Sequence, residues 1–489
     1  MKSILHYFPY ETPREVQKDL LLGIEEMWDS SDVFPITAPT AAGKSAISHS
    51  ILEWAKKEKK QRVAYLHPSN ILLDQYTSEF PRTFALRNMD WYECTGYEGR
   101  ERMSCGEVKR MNLCRKCMNC PYKRAMIISK SSKHITCNYH TFMAHKLSAD
   151  VLIIDEAHKL LPFFQELASK KYWYKDWEFP TWVTTYAKFL KYMREEVPLR
   201  KAQGLKSSGG KVTKKLLESL EADVDNFFIK KSVEKLRGHD EWCIKATPLS
   251  VKDHTDILFR SNVKKIILMS ATISVKEVEE LGLAGKRTTW FHTPSPIAKE
   301  RRQIIYEPVG NMGLKHWDTS VPKLIDYLQG LLDCEDSQGM KGFIHAPYSL
   351  ATKIREHLGS HPRLMFHERH TRTDVLQSFV ESDKSLGRVM VASGLEEGVD
   401  LKHDLAEWQV ITKVPYMSLG EPAVVAKMNK DPMWYIWEAQ KLIIQAAGRV
   451  CRSPDDFGTT FIVDTNFKRL YNEGIHLIPE WFKEAITWE

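Results

Sequence analysis

The 489-residue sequence contains no run approaching the roughly 18 consecutive apolar residues that a bilayer-spanning helix needs. Its opening stretch, Met1 to Gln17, lacks the apolar core of a secretory signal, because charge and proline arrive too early. These two absences predict a soluble, intracellular chain with no membrane partner. Internal repeats and long low-complexity segments are also missing. Neither sign of charge dominates: 70 Lys and Arg against 63 Asp and Glu leave +7, compatible with a polyanionic partner without demonstrating one. What is present is ordinary globular composition, 43% hydrophobic and 27% charged, which excludes disorder as the main state. The length exceeds what one core fills, so two or more domains are expected.

Cysteine is scarce and unevenly placed. There are nine, and five lie between Cys94 and Cys120. Without a secretory signal, such clustering suggests metal ligation rather than disulfides. The spacing Cys105-x8-Cys114-x2-Cys117-x2-Cys120 offers four thiols within sixteen residues. Four thiolates hold either tetrahedral zinc or a cubane iron–sulfur cluster, and spacing does not choose between them. Cys94 is an alternative fifth donor. Charge is concentrated here too: residues 94–134 carry ten Lys and Arg against three Glu.

Strand-like runs at Val33–Ala38, Arg62–His67, His134–Asn138, Val151–Ile154 and Lys265–Met269 alternate with helical spacing, which predicts a parallel α/β sheet. A second series follows a Pro-containing linker at His292–Pro296. Its strands are expected near Gln303–Tyr306, Gly342–His345, Arg388–Ala392, Trp408–Lys413 and Thr460–Asp464. Residues 160–242 differ: they are aromatic-rich, then Lys-rich around Lys211–Lys215, and read as a mostly helical insertion.

Ala38-Pro39-Thr40-Ala41-Ala42-Gly43-Lys44-Ser45 sits between a strand and a helix, where backbone N–H groups cradle phosphates. Lys44 supplies a point charge and Ser45 a hydroxyl for Mg²⁺. Further on, the apolar strand Val151–Ile154 ends in Asp155-Glu156-Ala157-His158. Asp155 can hold Mg²⁺ while Glu156 orients and deprotonates an attacking water. A phosphate loop paired with carboxylates at a second strand end predicts an NTP hydrolase.

These residues carry a resemblance. Asp155-Glu156-Ala157-His158 looks like the DEAH box of superfamily 2 helicases, and Ser270-Ala271-Thr272 resembles their third motif. Gln445-Ala446-Ala447-Gly448-Arg449-Val450-Cys451-Arg452 matches the sixth, QxxGRxxR, and Gly394 to Leu401, with Glu397 and Asp400, resembles the fifth. For Glu397 and Asp400 a capping role and a direct one both stay open. Arg14 and Gln17 look like the adenine-side RxxQ element. A cysteine insertion between phosphate loop and DEAH box, ending in Cys120-Pro121-Tyr122, resembles the iron–sulfur domain of the XPD/DinG family. Ile135-Thr136-Cys137-Asn138-Tyr139-His140 resembles that family's strand before the box, which makes Cys137 a buried core residue. Ala41 and Ser45 depart from the Gly and Thr common there.

The resemblance implies an α/β fold of two RecA-like parallel-sheet motor domains. Domain 1 would comprise 1–92, 136–159 and 243–290, and domain 2 would comprise 291–489. The first would hold an iron–sulfur insertion (93–135) and a reduced, mostly helical Arch-like insertion (160–242). It implies ATP and Mg²⁺ bound by Arg14, Gln17, Thr40, Ala41, Ala42, Gly43, Lys44, Ser45, Asp155, Glu397 and Asp400. Catalysis would rest on Lys44, Asp155, Glu156, Gln445, Arg449 and Arg452, the two arginines lying on one helix face. A [4Fe-4S] cluster would be held by Cys105, Cys114, Cys117 and Cys120. The implied activity is a 5′→3′ DNA helicase acting on single-stranded DNA and single-strand/duplex junctions. A monomer is expected, cytoplasmic (nucleoid-associated if bacterial or viral) or nuclear if eukaryotic. DNA repair is the expected setting, and the sequence itself does not choose among repair, replication restart and recombination. Two other readings are open: a single-strand translocase that remodels protein–DNA complexes without unwinding, which keeps every motif, and a non-enzymatic zinc-type nucleic-acid-binding protein on a decayed motor fold, against which the intact Lys44, Glu156 and Arg452 argue.

Overall fold

Short apolar runs buried on both faces build the two main sheets. In the computed structural model, which describes all residues but 40, 98–101, 115–118, 178, 203–225, 237–238, 261, 394–404, 454 and 489, the chain opens with β1 (Val33–Thr37), β2 (Val63–His67), β3 (His134–Asn138) and β4 (Val151–Ile154). An inserted unit then contributes β5 (Lys170–Trp173), β6 (Phe227–Leu236) and β7 (His239–Pro248). The first sheet resumes with β8 (Lys265–Ser270) and ends with β9 (Phe291–His292). The second lobe holds β10 (Ile304–Gly310), β11 (Gly342–His345), β12 (Leu364–Phe366), β13 (Val389–Ala392), β14 (Trp408–Ile411), β15 (Thr459–Asp464) and β16 (Ile486–Trp488).

The first sheet has the order β3-β2-β4-β8-β1-β9 and the second β12-β13-β11-β14-β15-β10-β16. Every pairing in both is parallel. These are two RecA-like lobes. Helices cover both faces, so strand residues alternate between two cores and the runs read as continuously apolar. Ala64, Leu66, Leu152, Ile154, Ile266 and Leu268 face one core, whereas Val63, Tyr65, Val151, Ile153, Ile267 and Met269 face the other. Each such side chain contributes about 1.5–3 kcal/mol when fully buried. Cys137, on β3, is fully buried in the first core, as a structural cysteine should be.

Strand order places the chemistry. β4, β8 and β1 are neighbours, so the loops leaving their carboxyl ends lie side by side although they start at residues 155, 271 and 38. Open parallel sheets put ligands at that edge.

Three differences from the sequence reading have physical causes. The insertion holds the helices Leu160–Ala168 and Tyr186–Ala202 but also an antiparallel sheet, β5-β7-β6. β6 is hard to read because its far half (Ser232, Glu234, Lys235) is polar on both faces, and its ten-residue ladder with β7 defines it. β7 runs on to Pro248, past the expected boundary at 242. β9 (Phe291–His292) is only two residues long and lies at the expected opening of the second domain, yet it pairs with Ile36 and Thr37 of β1 and so belongs to the first lobe. The tract Lys211–Lys215 lies outside the described residues.

Two glycines make opposite predictions. A Cβ on Gly342 of β11 would stand 2.3 Å from the Trp408 ring of β14, whereas one on Gly330, exposed in the helix Trp317–Asp333, meets nothing within 4 Å. Gly342→Ala is expected to lower unfolding stability by about 1–3 kcal/mol through overpacking, and Gly330→Ala to raise it by about 0.5–1 kcal/mol. Denaturant titration of the two variants reads both signs.

Candidate functional site

The phosphate loop is shaped by backbone that only certain residues tolerate. Gly43 caps the helix Lys44–Lys57 with φ +76°, and a Cβ there would lie 2.2 Å from the Gln17 amide nitrogen. The positive φ favours glycine, and a Cβ would have to displace the Gln17 amide from the loop. Ala41 adopts φ +65° without that freedom. Two side chains hold the loop in place: Arg14 Nη1 donates to the Ala41 carbonyl at 2.6 Å, and Gln17 Nε2 to the Ala42 carbonyl at 2.9 Å. Gln17 is itself fixed by accepting the Arg14 backbone N–H at 3.0 Å. The predicted RxxQ element therefore meets the loop. Thr40 lies outside the described residues.

Lys44 reaches back to the Ala38 carbonyl at 3.4 Å and stands 3.9 Å from Glu156 Oε1 across the neighbouring strand ends. Ser45 follows it as the second residue of the helix, half-buried against the loop. Asp155 ends β4, its Oδ1 accepting the Glu156 N–H at 3.0 Å, with the buried His67 ring 3.6 Å from Oδ2. Burial pushes the Asp155 carboxyl up, but His67 and the Lys44 ammonium outweigh it and hold the group below the ordinary carboxylate range. It stands ready as an anion.

Glu156 sits in the left-handed region at φ +47°, a strained position for a residue with a side chain. Tyr139 supports it. This buried phenol donates to the Asp155 carbonyl and lies 3.3 Å from the Glu156 carbonyl. Sequence reading passed over this role, although Tyr139 was visible in the Asn-Tyr pair after β3.

From Glu156 a continuous polar path leads to the second lobe. His158 Nδ1 lies 3.3 Å from Glu156 Oε2 and 2.9 Å from the Ser270 hydroxyl. That hydroxyl accepts the Thr272 N–H at 3.0 Å, and Gln445 Nε2, from the other lobe, donates to the Thr272 hydroxyl at 3.2 Å. Ser270 and Thr272 are fully buried, so an unmade bond here costs about 1–3 kcal/mol.

The arginines differ from expectation. The helix Pro432–Ala447 stops at its cap, Gly448, so Arg449 and Arg452 lie in the turn beyond it and not on a helix face. Asp456 explains the turn: its carboxylate accepts the N–H groups of Arg452 (2.7 Å) and Ser453 (2.8 Å). The segment still meets the phosphate loop, because Ala41 packs against a cluster containing Val450 and Cys451. Glu397 and Asp400 lie outside the described residues.

In the cysteine insertion, Cys105 and Cys120 are buried together, with Cys94 packed beside them and Cys114 exposed. Cys117 lies outside the described residues, and no group of three metal-ligating side chains is found among those described. Burial and the neighbouring Cys120 and Cys94 thiols push Cys105 up to about 12. Crowded thiols resist ionising for this reason, and a bound cation reverses it, since a coordinating thiol is deprotonated outright. The Cys105–Cys120 pair fits a thiolate-held group.

The aromatics of the second insertion divide. Trp177 packs in its core with Tyr172, Phe179 and Phe189, and Tyr174 lies against it. Trp182 and Trp242 are exposed, with Lys231 over the Trp242 ring at 4.7 Å. The Tyr186 side chain lies outside what is described.

Comparison with known proteins agrees with this geometry. A family model described as a helicase C-terminal domain matches residues 343–485, and one for the res subunit of type III restriction enzymes matches 11–174. The chain is 24% identical over 233 residues to the ATP-dependent DNA helicase YoaA of Escherichia coli, covering 45% of this chain and 36% of that protein. It is 24% identical over 277 residues to the ATP-dependent DNA helicase DinG of Photobacterium profundum, covering 51% and 38%. The chain thus spans under two-fifths of the length of these curated relatives. Its fold superposes on a solved XPD helicase with a TM-score of 0.62 at 13% identity, covering 98% of this chain and 100% of that one. The chain is thus similar in sequence to the DinG and YoaA helicases and in fold to an XPD helicase.

Tyr139→Phe removes only the hydroxyl that braces Glu156. The variant is expected to lose about 1 kcal/mol of stability and about fivefold to tenfold in nucleotide turnover through a misplaced carboxylate. Thermal melting and steady-state phosphate release check the two.

Proposed function

We propose that the chain is an ATP-dependent DNA helicase that moves 5′→3′ on single-stranded DNA. The observation that carries this reading is the polar path from Glu156 through His158, Ser270 and Thr272 to Gln445. It joins a hydrolytic carboxylate in one lobe to the arginine-bearing segment of the other, and that linkage is what a motor needs in order to convert hydrolysis into relative movement.

In this reading Arg14 and Gln17 face the adenine side, and the loop N–H groups with Lys44 hold the phosphates. Ser45 and Asp155 would hold Mg²⁺, which neutralises charge on the phosphate oxygens when bound. Glu156 orients the attacking water and takes its proton as the new P–O bond forms and the bond from the γ-phosphorus to the bridging oxygen breaks. Arg449 and Arg452 approach from the second lobe to offset the charge on the leaving and transferred phosphates. The Lys44–Glu156 distance of 3.9 Å supports placing cation and base at one phosphate site.

Cys105, Cys114, Cys117 and Cys120 would hold a [4Fe-4S] cluster, which supplies a rigid cross-link when bound. The ten Lys and Arg of 94–134 would follow phosphates, with salt-dependent affinity. Exposed rings such as Trp91, stacked under Arg87 at 4.0 Å, offer stacking without sequence preference. Polarity and the wedge role of the cysteine insertion follow the XPD/DinG resemblance, as do junction binding and a monomeric state.

The test is strand displacement by anaerobically purified protein on duplexes carrying a 5′ or a 3′ single-stranded tail. ATP-dependent unwinding from the 5′ tail alone is expected. No unwinding with DNA-stimulated hydrolysis intact would favour the translocase, and unwinding from the 3′ tail alone would reverse the polarity. Lys44→Ala should abolish hydrolysis while single-strand binding persists; turnover surviving in that variant would overturn the phosphate-site assignment.

A further inference from the structure

The helix Pro432–Ala447 sends three side chains from one face into the first lobe. Trp437, Lys441 and Gln445 are spaced four residues apart, so successive members are offset by only about 40° around the axis. Gln445 reaches Thr272. One turn earlier, Lys441 Nζ lies 2.8 Å from Glu277 Oε1, and Trp437 donates its Nε1–H to Glu277 Oε2 at 3.2 Å.

Glu277 belongs to the short helix Val275–Glu280, which begins three residues after Thr272. Its Oε2 also accepts the backbone N–H (2.8 Å) and the hydroxyl (3.0 Å) of Ser274, the residue capping that helix. One carboxylate therefore closes a cap in the first lobe and takes two donors from the second. Glu277 is 4% exposed and Lys441 5%. Burial alone would draw the proton off Lys441, but Glu277 and Glu438 more than offset it and keep the ammonium charged. A buried pair of this kind resists slip, because separating it leaves a charge without a partner in the interior.

The consequence falls at the far end of the helix. Lys441 stands six residues before the helix ends at Ala447, about 9 Å along its axis, and Arg449 follows in the turn beyond. A roll or shift at Lys441 moves the terminal turn, and with it the arginine segment that packs on the phosphate loop. We propose that Glu277 and Lys441 are positioning residues, an inter-lobe pin that sets the register of this helix and so places Arg449 and Arg452 for hydrolysis. The inference rests on the hydrolytic reading above. Neither residue belongs to a motif that the sequence singled out.

The test uses full-length Lys441→Met, Lys441→Arg and Glu277→Gln chains, with two readouts: steady-state ATP hydrolysis in the presence of single-stranded DNA, and hydrogen–deuterium exchange of residues 449–456. Lys441→Met and Glu277→Gln should lose about tenfold in kcat with KM for ATP within about twofold, while Lys441→Arg keeps most of kcat. The Arg452 and Ser453 amides, which donate to Asp456, should exchange faster in the two deficient variants only. Unchanged kcat and exchange would overturn the proposal. So would Lys441→Arg failing as badly as Lys441→Met with KM rising in step, which would leave the pair a role in fold stability alone. A wild-type chain that hydrolyses no ATP would refute the hydrolytic reading. Exchange at 449–456 would then still decide the positioning: faster exchange supports the pin, and unchanged exchange overturns it.

Discussion

The hydrogen bond from the Gln445 amide to the Thr272 hydroxyl is the interaction on which the rest of the site depends. Thr272 is held by Ser270, Ser270 by His158, and His158 touches the Glu156 carboxylate. Each bond alone is worth roughly 1 kcal/mol. Their importance lies in sequence: the inner members His158, Ser270 and Thr272 are buried, and a displacement at one end is passed toward the other. In the proposed mechanism, two lobes with separate cores thereby respond to one event at the phosphate loop.

The loop pays for its shape in backbone strain. Ala41 and Glu156 both adopt left-handed conformations, each costing about 1–2 kcal/mol for a residue with a Cβ. Arg14 and Gln17 brace the first, and Tyr139 the second. Such strain persists only where the surroundings over-determine it, and here the bracing groups come from elements distant in sequence. The consequence is a site whose loop conformations are held by the protein's own side chains.

Much of this was legible in the sequence because the chemistry is local. A strand, a small-residue loop and Lys44, or a strand ending in Asp155 and Glu156, declare themselves within ten residues. Most strand positions follow from apolar runs, Cys137 with its strand among them, whereas the three-residue edge strands β12 and β16 are too short to show one. Other features are not local. Tyr139 braces Glu156 from the start of the helix after β3, and Glu277 meets Lys441 only because two lobes close on each other; neither pairing leaves a mark in periodicity. β9 is too short to show a period, and β6 is defined by its partner more than by its own residues. The two arginines were expected on a helix because their spacing is helical, whereas Asp456 turns the chain just after Gly448. Thr40, Cys117, Glu397 and Asp400 fall outside the described residues, so their part in the site rests on motif alone.

The central claim, that the hydrolytic carboxylate and the second lobe act through one continuous chain of bonds, is tested most directly by a double-mutant cycle on Thr272→Val and Gln445→Leu. The quantity to measure is the stimulation of ATP turnover by single-stranded DNA. Residues in one network couple strongly, so each single variant should lose about as much stimulation as the pair together, a coupling of about 0.5–3 kcal/mol. Losses that simply add would mean that the two side chains act independently, and the path between the lobes would then not be the link described above.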